Sequence, residues 1–120
     1  MHTKLTAKEE IIMNLLWDNG PMSVKEMIEH YAIPKPHFNI VSTFVRGLEA
    51  RGLVSHNAMG NTFQYYAVVS RADFSRKTLV SIIDKFYSKQ ALNAVSALVS
   101  EEKISVEELK SLIEKIEKGN

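Results

Sequence analysis

Six polar side chains between residues 35 and 46 could form hydrogen bonds to another molecule. An amide pairs well with adenine, a guanidinium with guanine or a phosphate, and a hydroxyl with either a base or a phosphate. The six residues are Lys35, His37, Asn39, Ser42, Thr43 and Arg46. At helical spacing, the last four of them lie on the side opposite the apolar residues of the same segment. Their chemistry fits contact with DNA or, as the alternative, a helix face exposed only to solvent.

Residues that could carry out catalysis or hold a metal ion do not cluster in this sequence. It contains no cysteine, which excludes disulfides, thiolate zinc sites and cysteine nucleophiles. The four histidines form no pair at i,i+4 spacing, and no glycine-rich phosphate loop is present. We therefore predict no catalytic residue, no metal site and no cofactor, and an enzyme is the least favoured hypothesis.

The composition is that of an ordinary globular protein, with 45% hydrophobic and 24% charged residues in 120. No apolar run approaches the ~18 residues that a membrane span requires, and the first residues lack a signal-peptide core. We therefore expect a cytoplasmic protein without membrane insertion.

Residues 1–70 hold six basic and six acidic side chains. This neutral balance is unlike that of a strongly basic nucleic-acid binder, so a module for protein–protein interaction stays open as an alternative.

The starts of the helices are marked by capping boxes, in which a hydroxyl residue is followed three positions later by Glu. This pattern occurs at Thr6–Glu9, Ser23–Glu26 and Ser105–Glu108. The first two are followed by apolar residues at helical spacing, and these segments end at Asn19-Gly20-Pro21 and at Ile33-Pro34. Two short helices are therefore predicted in the first 35 residues.

A third helix and a hairpin complete the first part of the chain. The helix is predicted to run from near Pro36 to Gly52, with an apolar side formed by Phe38, Val41, Phe44, Val45 and Leu48. Residues 53–56 and 62–68 are rich in β-formers, and residues 57–61 supply a turn. Three helices followed by a hairpin is the order of a winged helix-turn-helix domain, whose third helix enters the major groove. We predict a mainly α protein with such a DNA-binding domain over residues 1–70.

Helical spacing returns in residues 71–120, which predict three further helices. Fifty residues are too few to bury all the apolar stripes of these helices within one chain. We therefore predict a helical dimerisation domain over residues 71–120, joined to the first domain through a continuous helix. The predicted interface residues are Ile82, Ile83, Phe86, Leu92, Val95, Leu98, Val99, Leu109, Leu112 and Ile116.

The motifs of the first domain, taken in order, resemble the penicillinase-repressor family of BlaI/MecI/CopY-type transcriptional repressors. The resemblance is carried by Leu5-Thr6-x-x-Glu9, by Gly20-Pro21-Met22-Ser23-Val24-Lys25-Glu26 and by Val41-Ser42-Thr43-x-Val45-Arg46-x-Leu48-Glu49-x-Arg51-Gly52-Leu53. The resemblance extends through Tyr66 in the second strand of the hairpin, called the wing in this fold, and into the tail, residues 71–120. It therefore covers nearly the whole chain.

The resemblance implies a homodimeric repressor that binds a pseudo-palindromic operator in double-stranded DNA. Its DNA contacts would fall on Asn39, Ser42, Thr43 and Arg46, with wing contacts at Asn57, Asn61 and Thr62. In the family, a membrane sensor-protease system leads to cleavage within the dimerisation region, which releases the operator.

Three positions depart from the family pattern. Ile40 stands where members often have Thr, and the wing tip Gly60-Asn61 lacks the usual Arg or Lys. The Asn-Phe dipeptide at which staphylococcal members are cut does not occur in the tail, where Ala97-Leu98 occupies the place. The missing cysteines exclude copper sensing of the kind found in one branch of the family.

Overall fold

The computed structural model describes residues 4–88 and 90–119. It is mainly helical, with one antiparallel hairpin after the third helix, which confirms the predicted winged helix-turn-helix architecture. The chain divides into two compact units, the first ending at Thr78 and the second starting at Leu79. The elements are α1 (Ala7–Asn19), α2 (Val24–Glu29), α3 (Phe38–Ala50), β1 (Val54–Met59), β2 (Thr62–Ala67), α4 (Arg71–Phe86), α5 (Ala91–Ser100) and α6 (Val106–Glu117).

The predicted capping boxes begin α1, α2 and α6. At the first of them, the Glu9 backbone N–H donates to the Thr6 hydroxyl (3.2 Å) and the Thr6 N–H donates to the Glu9 carboxylate (2.9 Å). Ser23 and Ser105 make the same reciprocal bonds with the Glu three residues later. Each box satisfies two backbone donors that the first helical turn leaves free.

Helix α2 is shorter than predicted, and α3 starts two residues later than Pro36. Helix α2 ends at Glu29, four residues before the predicted stop at Ile33-Pro34, so that Tyr31 lies outside it. The Lys35 ammonium donates to the carbonyls of Ile28, Glu29 and Tyr31 (3.2, 3.2 and 2.8 Å), and so satisfies the end of α2. His37 is the N-cap of α3, with its Nδ1 accepting from the Asn39 N–H at 3.1 Å.

The core of the first unit lies between the three helices and the base of the hairpin. Val41, Val45 and Leu48 form the buried side of α3, as predicted. The prediction that Phe38 shares this side is wrong, because its ring is 51% exposed. Phe38 is the first residue of α3, and the buried residues of this helix begin only at Val41. The other core residues are Ile12, Met13, Leu16, Met22, Val24, Met27, Val54 and Tyr65.

The hairpin, here called the wing, is longer than predicted and its turn is shorter. Its register runs from Val54 opposite Ala67 to Met59 opposite Thr62. Residues 57–59, predicted as turn, therefore belong to β1. Gly60 has φ +62°, and this left-handed conformation allows a two-residue turn.

Trp17, in the last turn of α1, packs against the segment that follows the wing. Its indole N–H donates to the Val69 carbonyl at 2.9 Å, and its ring lies 5.7 Å from that of Phe74. The Arg71 guanidinium lies 5.3 Å from the same ring and pairs with Asp18 at 2.7 Å. These contacts fix the start of α4 onto α1.

The last three helices leave most of their apolar side chains uncovered. Ala94 is the one buried residue among the described residues 79–88 and 90–119. Helix α4 ends at Phe86, and Ser88 has a φ of +50°, which is incompatible with a continuing helix. None of the described helices combines the length and hydrophobicity that crossing a membrane would require.

Candidate nucleic-acid interface

The outer face of α3 carries three exposed polar side chains, Asn39, Thr43 and Arg46. The Thr43 hydroxyl donates to the Asn39 backbone carbonyl at 2.7 Å, which leaves the lone pairs of its oxygen available as acceptors. Within the described part of the chain, the Asn39 amide group and the Arg46 guanidinium have no hydrogen-bond partner in the protein. The face therefore presents free donors and acceptors to solvent.

Arg46 differs from the three other arginines of the chain in having no carboxylate partner among the described residues. Arg51 pairs with Glu9, Arg71 with Asp18 and Arg76 with Asp73. A guanidinium offers five N–H donors in a planar arrangement that matches phosphate oxygens or the guanine edge. Arg46 is thus the arginine available to an external acceptor.

A cleft of about 300 Å³ separates α3 from the wing and brings four of the predicted contact residues together. Ser42 and Arg46 line it from α3, and Asn61 and Thr62 line it from the wing. The remaining lining residues are Val24, Phe38, Phe63 and Tyr65. Lys35, His37, Asn39, Thr43 and Asn57 do not line this cleft.

Lys35, His37 and Asn57 are exposed but do not line the cleft. The Lys35 ammonium is directed at the carbonyls that end α2, and the His37 ring caps α3. Asn57 is exposed in the middle of β1, opposite Gln64. A contact of any of these three residues with DNA stays a prediction.

A hydrogen bond between His56 and Glu49 and an aromatic cluster hold the wing against α3. His56 Nδ1 of β1 lies 2.5 Å from the Glu49 carboxylate of α3. The His56 ring also lies 4.4 Å from that of Phe63 and 5.5 Å from that of Tyr65. Burial and the nearby Glu49 carboxylate raise the pKa of Tyr65 despite the opposing effect of Arg46, so its hydroxyl stays protonated at neutral pH.

Two exposed aromatic rings in the cleft were missed by sequence reasoning. Phe38 is 51% exposed and Phe63 is 50% exposed. The spacing of Phe38 from Val41 and Val45 suits an apolar stripe and predicts a buried ring. Its position as the first residue after the His37 cap was the available signal, since a side chain at the very end of a helix can extend past the core.

The residues predicted for dimerisation lie on α4, α5 and α6, and none of them is fully buried. Ile83, Val95, Val99 and Leu109 are half-buried. The more exposed residues of the set are Ile82, Phe86, Leu92, Leu98, Leu112 and Ile116. Among the described residues, no group of His, Asp or Glu side chains is arranged to hold a metal ion.

Comparison with known proteins gives matches along nearly the full chain. The family model described as penicillinase repressor matches residues 5–118. The methicillin resistance regulatory protein MecI of Staphylococcus aureus strain N315 is 26% identical over 116 residues, which cover 93% of this chain and 94% of that protein. MecI of Mammaliicoccus sciuri is 25% identical over the same length and shares of the two chains.

Two solved structures align with the chain at lower similarity. A structure of Bordetella bronchiseptica BpsR, concerned with regulation of its DNA binding by 6-hydroxynicotinic acid, aligns with a TM-score of 0.49 at 18% identity. This alignment covers 97% of the present chain and 75% of the other. The transcriptional regulator Tm0710 of Thermotoga maritima aligns with a TM-score of 0.44 at 20% identity, over 83% and 79% of the two chains.

Proposed function

The chain belongs to the penicillinase repressor family, and on this premise we propose that it is a sequence-specific transcriptional repressor that binds a pseudo-palindromic operator as a homodimer. The observation that carries the proposal is the free Arg46 guanidinium on the same outer face of α3 as the free Asn39 amide, about two helical turns away. In a helix-turn-helix protein this face contacts base edges in the major groove.

The proposed contacts divide into those that read bases and those that position the protein. Asn39 and Arg46 have the groups that pair with adenine and guanine. Ser42, Thr62 and Asn61 line the cleft between α3 and the wing, where their hydroxyl and amide groups can donate to backbone phosphates. The hydrogen bond between His56 and Glu49 supports these contacts by holding the wing to α3.

A single copy of this DNA-binding domain should bind weakly. Residues 1–70 have equal numbers of basic and acidic side chains, and the phosphate backbone supplies most of the affinity of a protein for DNA. Two copies joined through their tails engage two half-sites about one helical turn apart, or a multiple of it. The second contact is then intramolecular and raises affinity by about 10²–10⁴.

In this proposal, a membrane sensor-protease system relieves repression by inactivating the tail. The support comes from the family resemblance, since the tail would join the two copies.

The Ala97–Leu98 bond lies inside α5 (Ala91–Ser100), where the backbone is hydrogen-bonded as a helix. Because chain cleavage is favoured in exposed loops and locally opened segments, a cut at this bond requires α5 to open. The turn at residues 101–104, between α5 and α6, is the more accessible place.

The experiment is a mobility-shift titration with the DNA upstream of the protein's own gene and with a shuffled duplex of the same composition. The proposal predicts a shift of the upstream duplex at protein concentrations that leave the shuffled duplex free. Equal affinity for the two duplexes would favour the alternative, a winged helix used for protein–protein interaction.

A further inference from the structure

The ring of Phe38 lies at the edge of the cleft without an aromatic neighbour among the described residues. Phe63, across the cleft, is equally exposed, but its ring lies against those of His56 and Tyr65 at 4.4 and 6.4 Å. Phe63 thus has a structural role in the wing. The contacts within the chain give the exposed half of Phe38 no comparable role.

The position of Phe38 restricts what the ring could meet in a complex with DNA. It is the first residue of α3 and directly precedes Asn39. In helix-turn-helix proteins, the N-terminal residues of the recognition helix contact base edges in the major groove. The apolar group that this groove presents is the C5-methyl of thymine, and a Phe ring is among the side chains that contact it.

The scarcity of charge on α3 gives such an apolar contact more weight. Arg46 is the one cationic residue of α3, and the acidic residue of this helix, Glu49, is held by His56. Few phosphates can therefore be neutralised from α3, and the electrostatic share of the binding energy is correspondingly small. Covering half of a Phe ring with a methyl group removes apolar surface from water and adds affinity that does not depend on salt.

We infer that Phe38 is a specificity-determining residue that recognises thymine in the operator through the C5-methyl group. This inference rests on the proposed function, and it assigns one base to one side chain. Asn39 and Arg46 then recognise neighbouring bases through hydrogen bonds, so that α3 combines one apolar and two polar contacts within about two and a half turns.

The test uses a duplex that the wild-type protein selects from a random DNA library. Each thymine is replaced in turn by deoxyuridine, which removes one methyl group and leaves every hydrogen-bonding group of the base in place. At one or two positions in each half-site we expect the affinity to fall about fourfold for each methyl group removed. Fluorescence anisotropy titration measures the change.

Variants of the two rings locate the effect. Phe38→Ala should bind the thymine duplex more weakly and should no longer distinguish thymine from uracil at the sensitive positions. Phe38→Leu keeps an apolar side chain and should keep part of the discrimination. Phe63→Ala is the control that removes another exposed ring from the same cleft: a loosened wing would weaken binding to every duplex, but the ratio of the affinities for thymine and uracil should be unchanged. Thermal melting checks that each variant is folded.

The outcomes separate the inference from the proposal beneath it. If the wild-type protein binds all deoxyuridine duplexes as tightly as the thymine duplex, Phe38 does not recognise thymine, although the repressor function stands. If Phe38→Ala remains sensitive to uracil at the same positions, another residue makes the contact and the inference is overturned. If the protein selects no duplex at all, the proposed function falls and the inference falls with it.

Discussion

Apolar side chains differ in burial between two segments of the chain. The first segment, α1 to α3 with the wing, buries them, whereas the second segment, α4 to α6, leaves most of them exposed. In the first segment, Ile12, Met13, Met27, Val45 and Leu48 are completely buried. In the second segment, Phe86 is 70% exposed and Leu92 is 83% exposed. The amphipathic sequence patterns of the two segments are similar, but only the first completes a core within one chain.

This difference is the reason for proposing that α4 to α6 associate with a second copy. An apolar surface spread over three helices is unusual for a monomer, and such surfaces mark sites of association. In the proposed dimer, the first segment brings a finished DNA-binding surface, and the second brings an interface that only a partner completes. The comparison is tested most strongly by changes that affect one segment and leave the other intact.

The largest effect is expected for Leu112→Glu in α6. A carboxylate in the proposed apolar interface loses its hydration without gaining a partner, so the protein should become monomeric and lose operator affinity by about 10²–10⁴. Sedimentation velocity and a DNA titration measure the two losses. The control is Ser111→Glu, which adds the same charge on the side of α6 that faces away from its apolar residues. It should leave both properties unchanged. A Leu112→Glu protein that still sediments as a dimer would contradict this assignment of the interface.

The next effect concerns stability and distinguishes the two segments directly. In the monomeric Leu112→Glu background, Leu48→Ala should lower the free energy of unfolding by about 2–5 kcal/mol, because it leaves a cavity in a closed core. In the same background, Leu92→Ala should change it by less than about 0.5 kcal/mol, because the side chain is already exposed. Urea unfolding measures both values. Equal losses for the two substitutions would show that the tail buries Leu92 within a single chain.

Arg46→Ala should weaken binding to the operator by about 1–3 kcal/mol, because it removes a bidentate contact to a base or a phosphate. Its side chain points away from the core, so the melting temperature should be unchanged. Arg76→Ala is the control: this exposed arginine of α4 pairs with Asp73 at 3.5 Å and lies outside the proposed interface. Anisotropy titration at one fixed salt concentration compares the two. Equal losses would indicate an effect of net charge alone.

The smallest effect is a dependence of stability on pH that both segments should share. Hydrogen bonds from the backbone N–H and hydroxyl of Ser23 lower the pKa of Glu26, and those of Ser105 do the same for Glu108. A carboxyl whose pKa is lower in the folded state stabilises the protein above its unfolded pKa, and this contribution is lost as the pH falls through the folded value.

Gln keeps the capping bond but does not titrate. Glu26→Gln and Glu108→Gln should therefore each reduce the loss of stability between about pH 5 and 3, as followed by urea unfolding. A loss as large as that of the wild-type protein in either variant would show that the box does not contribute.

The sequence predicted the features that depend on neighbouring residues. Capping boxes and glycine stops are local, and they located α1 and the start of α6 correctly. The end of α2 was missed because it depends on Lys35, six residues beyond Glu29, whose ammonium satisfies the carbonyls there. The extent of the wing was underestimated because Asn57 favours turns in isolation, whereas pairing with Gln64 draws it into a strand.

The site was predictable as a set of residues and not as an arrangement. Helical spacing identified Arg46 on the outer face of α3, but its lack of a partner depends on where Glu9, Asp18 and Asp73 lie in the fold. The exposure of Phe38 likewise depends on where the core ends. Tertiary contacts of this kind have no signature in the spacing of residues along the chain.

Sedimentation velocity of the full chain, at the concentrations that saturate the operator, decides whether the tail completes its apolar surface only with a second copy. We expect a species of twice the chain mass of 13.6 kDa, both free and bound across two half-sites. A monomer that saturates the operator at these concentrations would rule out this role of the tail.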